Sequence, residues 1–142
     1  MNTRYTPLVK LKKSTMDKSE RVVQKASADL NSASIALQVS YNFLKDIESP
    51  TTGTMKDMLA SRSILDSQRS LIENNHEWVE FAKGQLGLAK EQLKVDMIEF
   101  EKFKYLELQE IKKELKKLKI QEAKDLDEVA IMTFSNKNKE MR

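Results

Sequence analysis

His76 is the only histidine in this chain, and there is no cysteine. A transition-metal centre needs several nitrogen or sulfur ligands, and a histidine triad or thiolate nucleophile needs partners that these residues do not supply. His76 therefore reads as a polar residue beside a helical seam or as a contact for a partner. Carboxylate pairs such as Glu99 and Glu101 belong to regular helical charge patterning, and Gly84 and Gly87 lie in a helical pattern with no preceding strand to present a phosphate loop. No enzyme activity and no cofactor are expected. The residue types with a use are cationic and aromatic. The run Ile111-Lys112-Lys113-Glu114-Leu115-Lys116-Lys117-Leu118-Lys119 sets five Lys against one Glu, and Lys10, Lys12, Lys13 and Lys18 stand near the other terminus. A basic segment striped with Leu and Ile suits an acidic protein surface. It suits nucleic acid less well, because no stacking aromatic lies among the lysines, and nucleic-acid binding would collapse with salt. Trp78, Phe81, Phe100, Phe103 and Tyr105 read as packing or edge aromatics, and any left exposed, Trp78 first, would be an interface anchor.

The elements that position these residues follow from composition and punctuation. With 39% hydrophobic, 6% aromatic and 33% charged residues and only 3 Gly and 2 Pro, the chain is thin for a globular core of 142 residues but rich in helix formers. Pro and Gly concentrate in Glu48-Ser49-Pro50-Thr51-Thr52-Gly53-Thr54, where Pro50 removes a donor and disfavours helical geometry at Ser49. Helix 1 is expected over about 7–48, starting from a Thr6 cap with Pro7 in the first turn. A turn over 49–54 follows, then helix 2 over about 55–134 from a Thr54 cap with Asp57 three residues on, and a frayed tail over 135–142. All belong to one domain spanning 1–142. No stretch approaches the roughly 20 apolar residues of a membrane span and no secretory signal is visible, so a soluble, cytoplasmic protein is expected.

The hydrophobic pattern has a period of seven. Val9, Met16, Val23, Leu30, Leu37 and Leu44 form one unbroken series, and Met58, Leu65, Ile72, Val79, Leu86, Leu93 and Phe100 form another. The companion positions are mostly small or polar: Lys12, Ser19, Ala26, Ala33, Ser40 and Ile47, then Ser61, Gln68, Asn75, Ala82 and Ala89. A strict repeat of seven keeps one stripe in contact only if two helices supercoil, and the short connection makes the two segments antiparallel neighbours. An ordinary amphipathic bundle is the plainer alternative. The sequence thus predicts an all-α fold, a long two-helix antiparallel coiled-coil hairpin with helix 2 overhanging at its C-terminal end.

A turn near Thr52 would set Leu44 near Ala60 and Val9 near Val95. Beyond Phe100 the series of seven meets Glu107, Glu114 and Gln121, while apolar residues move to Leu108, Ile111, Leu115, Leu118, Val129 and Met132. That shift reads as a stutter, and the segment from about Phe100 to Phe134 reads as an overhang whose apolar stripe could dock a partner.

With its early Thr6-Pro7-Leu8, its turn from Pro50 to Gly53, its Gln- and Glu-rich second helix and the ending Lys124-Asp125-Leu126-Asp127-Glu128-Val129-Ala130, the whole chain resembles the FliJ family of flagellar type III export. The resemblance implies a non-enzymatic component, peripheral at the flagellar basal body and needed for motility, that couples the hexameric export ATPase ring to the cytoplasmic domain of the export gate membrane protein and binds export chaperones, without inserting into the membrane. It implies a ring contact at the terminal end, which places Lys112, Lys113, Lys116, Lys117 and Lys119 there. It also implies a gate contact early in helix 2 ending in a histidine; set on His76, this falls on Leu65, Arg69, Ile72 and His76. An alignment displaced by one residue exposes Ile64 and Leu71 instead. A general coiled-coil tether or holdase chaperone is the alternative function.

Overall fold

The computed structural model describes residues 2–47 and 53–140, with side chains placed as far as Asn138. It contains helix α1, Thr6–Asp46, and helix α2, Met55–Glu140, which pack against each other as an all-α helical hairpin. The chain divides into two compact units. One comprises Met1–Lys13 with Ile98–Arg142, and the other comprises Ser14–Met97.

Each helix start is fixed by side-chain capping. Ahead of α1 the cap is Thr3 rather than Thr6. The Thr3 amide donates to Thr6 Oγ1 at 2.9 Å, the Tyr5 amide donates to Thr3 Oγ1 at 3.1 Å, and the Thr6 amide donates to the Thr3 carbonyl at 3.2 Å. Two threonines three residues apart can satisfy each other's orphan groups, which moves the cap one turn back from the residue before Pro7. Ahead of α2 the expected reciprocal pair is present: the Asp57 amide donates to Thr54 Oγ1 and the Thr54 amide donates to Asp57 Oδ2, both at 3.3 Å. Gly53 takes a φ of 154°, a value that L residues rarely adopt. The rest of the expected turn, Glu48 to Thr52, lies outside the described residues. At the other end α2 continues to Glu140, past the expected end near Phe134, since no Pro or Gly stands between them to stop a helix.

In the unit Ser14–Met97 the period-seven series is the contact surface. Ser19, Ala26, Ala33 and Ser40 are buried on α1, and Gln68, Val79, Ala82, Ala89 and Asp96 are buried on α2. Met16, Val23, Leu30, Leu37, Leu65, Ile72, Leu86 and Leu93 are partly buried between them, whereas Met58, first of its series, is 54% exposed. Leu30 and Leu37 pack against Ala33, Val79 and Ala82. Large side chains nest over small ones, which lets the backbones approach closely.

The pairing register differs from the one expected. Ser40 is met by Gln68 and Asn75, and Ser19 by Asp96. In the other unit Lys12 is met by Glu99 and Phe103. A turn at Thr52 would have set Lys12 against Gln92, and Val95, the expected neighbour of Val9, is 54% exposed. The physical reason is polar pairing inside the seam: the alignment is the one that gives Gln68, Asn75 and Asp96 their hydrogen bonds.

Beyond Phe100 the expected stutter gives way to a wider inward face. Phe103, Glu107, Glu110 and Glu114 continue the old frame and are partly buried, with Leu106, Gln109 and Ile111 beside them. Leu108 and Leu115 of the shifted frame remain 48% and 47% exposed. The methylene stems of these glutamates can cover apolar surface, which lets them stand at partly buried positions. One oxygen, Glu107 Oε2, is buried without a hydrogen-bond partner. The unpartnered part of α2 therefore begins at Leu115, about two heptads later than Phe100; from Leu115 to Asn138 every side chain is exposed.

Candidate functional site

Each unit carries exposed apolar side chains beside charge. In the unit Met1–Lys13 with Ile98–Arg142, the basic run lies on the exposed part of α2. Lys112, Lys113, Lys116, Lys117 and Lys119 are all exposed, and the ion pair described among them, Lys117 with Glu114 at 4.0 Å, is a loose contact of small energetic weight. Between and beyond them Leu118, Ile120, Leu126, Val129, Ile131, Met132 and Phe134 are 49–70% exposed. Lys10 and Lys13 of the same unit are also exposed, but Lys12 is turned onto the helix pair. Its Nζ sits 3.8 Å from Glu99 Oε2 and 5.5 Å from the Phe103 ring centroid, so its charge is already engaged.

In the unit Ser14–Met97 the four residues set on the histidine alignment lie along one side of α2 by their spacing, but only two of them are exposed. Leu65 and Ile72 are partly buried in the seam. Arg69 is exposed and lies 3.9 Å from Asp66, and His76 is exposed. The residues one position earlier do form an outward row: Ile64, Leu71 and Trp78, seven apart, are 53%, 46% and 43% exposed. Trp78 lines a shallow groove with Phe81, Gln85 and Ala82 of α2 and with Ala26 and Asp29 of α1. Phe81, Leu88 and Val95 make a second exposed row at the same spacing. The first row contains the two residues that the displaced alignment exposes, whereas the second is masked in the sequence by the stronger period-seven series, whose period it shares and from which it differs only in phase. Neither Gly84 nor Gly87 is approached by any atom that a side chain would displace, so close packing is not why they are glycines.

Among the described residues no group of three His, Cys, Asp or Glu side chains lies close enough to hold a metal ion, and no helix is long and apolar enough to cross a membrane. What these surfaces can do chemically is bury apolar area and match charge, the work of protein recognition.

No curated protein and no solved structure gives a significant match to this chain. A family profile does: that of the flagellar FliJ protein matches residues 1–139, nearly the whole of the helical hairpin described above, and the chain thereby belongs to the FliJ family, components of the flagellar export apparatus.

Proposed function

We propose that this chain couples the export ATPase ring to the export gate membrane protein and binds export chaperones, acting at the cytoplasmic side of the flagellar basal body and serving motility. The observation that carries this reading is the bare length of α2 from Leu115 to Asn138, an apolar stripe with Lys112 and Lys113 ahead of it and Lys116, Lys117 and Lys119 within it, in which every side chain is exposed among the described residues. These lysines are the proposed ring contact. The proposed gate contact is Leu65, Arg69, Ile72 and His76, of which Arg69 and His76 are the exposed members beside the seam, while Ile64 and Leu71 form a separate exposed apolar row on the other flank of α2.

Mixing the chain with the export ATPase and recording ring assembly and hydrolysis tests the reading. Binding that weakens when Lys116, Lys117 and Lys119 become Glu supports it, and no binding at moderate salt contradicts it. The same exposed stripe favours one other reading, a holdase that covers unfolded clients. That reading predicts suppression of aggregation of unrelated proteins, and capture of such proteins without any export component.

A further inference from the structure

Several aromatic rings of this chain already meet a cation. In the unit Met1–Lys13 with Ile98–Arg142, the Arg4 guanidinium stands 5.0 Å from the centroid of the Tyr5 ring, Lys104 Nζ 5.6 Å from that of Phe100, and Lys12 Nζ 5.5 Å from that of Phe103. At Phe103 a carboxylate joins in, because Lys12 Nζ also lies 3.8 Å from Glu99 Oε2. A cation from one helix is thus held by a ring and a carboxylate of the other.

The groove in the unit Ser14–Met97 offers the same two acceptors. Trp78 and Phe81 of α2 line it with two rings, Asp29 of α1 adds a carboxylate, and the small side chains of Ala26 and Ala82, both buried, leave room between them. All three acceptors are exposed. Among the described residues no cation stands over either ring, and Asp29 takes part in no ion pair. Trp78 and Phe81 are three residues apart and Gln85, which also lines the groove, follows four later, so they share one side of α2. Exposed apolar surface extends that side in both directions, through Leu71 one heptad before Trp78 and Leu88 one heptad after Phe81; on α1, Val22 lies one heptad before Asp29.

We infer that this groove receives a partner helix, which runs along it and inserts one Lys or Arg side chain between the two rings and Asp29. Rows that repeat every seven residues are matched by a helix with apolar residues at that spacing before and after its cation. A strand, with its period of two, does not follow them. Indole is the ring that attracts a cation most strongly, and a packed helix excludes water from both the ring and the carboxylate contact. An acidic helix sets like charge against Asp29, and a wholly apolar one covers that carboxylate without pairing it. The groove therefore selects its helix by charge. His76 stands two residues before Trp78, which puts it on the opposite flank of α2. The groove is thus separate from the gate contact proposed above, and the inference does not rest on the export reading.

Trp78 is the only tryptophan of the chain, so its fluorescence follows occupation of this groove directly. The probe is a lactam-stapled helical peptide of about three heptads, with Leu at spacing seven and a single central Arg, compared with the same peptide carrying Gln or Glu in that place. The Arg peptide should shift the Trp78 emission and bind the full chain at least about tenfold more tightly than the Gln peptide, with the Glu peptide weakest. That margin should shrink as salt rises, since Asp29 is exposed. Asp29→Asn should cut the Arg-over-Gln margin to about threefold or less, and Phe81→Ala should weaken the Arg peptide by at least about threefold. Both positions are exposed, so unchanged far-UV circular dichroism is expected of each variant. Absence of binding by all three peptides, equal binding of the Arg and Gln peptides, or a margin that Asp29→Asn leaves untouched overturns the proposal. So does binding seen by calorimetry with no change in Trp78 emission, or an emission that changes with the concentration of the chain alone, which assigns the groove to a second copy.

Discussion

Gln68 donates its side-chain Nε2 to the backbone carbonyl of Ser40 at 2.9 Å, from a position only 8% exposed. Beside it Asn75 Nδ2 donates to Ser40 Oγ at 2.6 Å, and that hydroxyl donates to the Ala36 carbonyl at 2.8 Å. Apolar side chains slide past one another at modest cost, whereas a buried amide displaced by a heptad loses its acceptor. The small polar cluster therefore fixes which α1 residue faces which α2 residue.

Replacing Gln68 and Asn75 together by Leu should keep or raise the melting temperature while loosening the register. A buried polar network exchanged for apolar volume is often neutral or stabilising, and what it supplied was alignment. Inter-helix distances measured by spin labels in the unit Ser14–Met97 should broaden or become bimodal. A single sharp distribution identical to the parent would remove the alignment role.

Ser19 donates its hydroxyl to Asp96 Oδ2, and Gln92 Nε2 donates to the other carboxylate oxygen at 3.1 Å. Ser19→Ala leaves a carboxylate that is 9% exposed short of one donor, which should cost about 1–3 kcal/mol in denaturant unfolding. Adding Asp96→Leu should recover much of that loss, and the coupling is the quantity a double-mutant cycle returns. Additive losses would mean that the pair contributes nothing as a pair.

Leu37 packs against the cluster of Ala33, Val79 and Ala82. Leu37→Asp should abolish the cooperative thermal transition, since truncation of a seam leucine alone costs about 2–5 kcal/mol and the variant adds an unpaired charge. Helicity and melting like those of the parent would refute the seam.

Gly84 and Gly87 stand in mid-helix with open space where a side chain would be. Gly84→Ala and Gly87→Ala should each stabilise the protein by about 0.5–1 kcal/mol through helix propensity. If the variant pair is more stable yet binds a partner less well, the bare backbone there belongs to an interface.

The period-seven series was legible in the sequence because apolar residues mark it, and the side chains least exposed in Ser14–Met97 fall on it. Less legible was its continuation through Asp96, Glu107, Glu110 and Glu114, where the inward residues are acidic and a hydrophobic pattern has no way to register them. The shift of pairing away from Thr52 escaped for the same reason: the alignment depends on hydrogen bonds of Gln68, Asn75 and Asp96, which composition does not encode. The exposed rows through Ile64, Leu71 and Trp78 and through Phe81, Leu88 and Val95 share the period of the seam. Only the phase fixed by the folded pair separates surface from interface.

The register in which α1 and α2 face each other is tested most directly by intramolecular disulfide trapping in this cysteine-free chain. Ser19→Cys with Asp96→Cys should close rapidly and quantitatively under mild oxidation at low protein concentration. The control Ser19→Cys with Gln85→Cys, the pair expected for a turn at Thr52, should remain reduced. Closure of the control in preference to the first pair would contradict the register, and with it the assignment of which α2 residues are free to meet a partner.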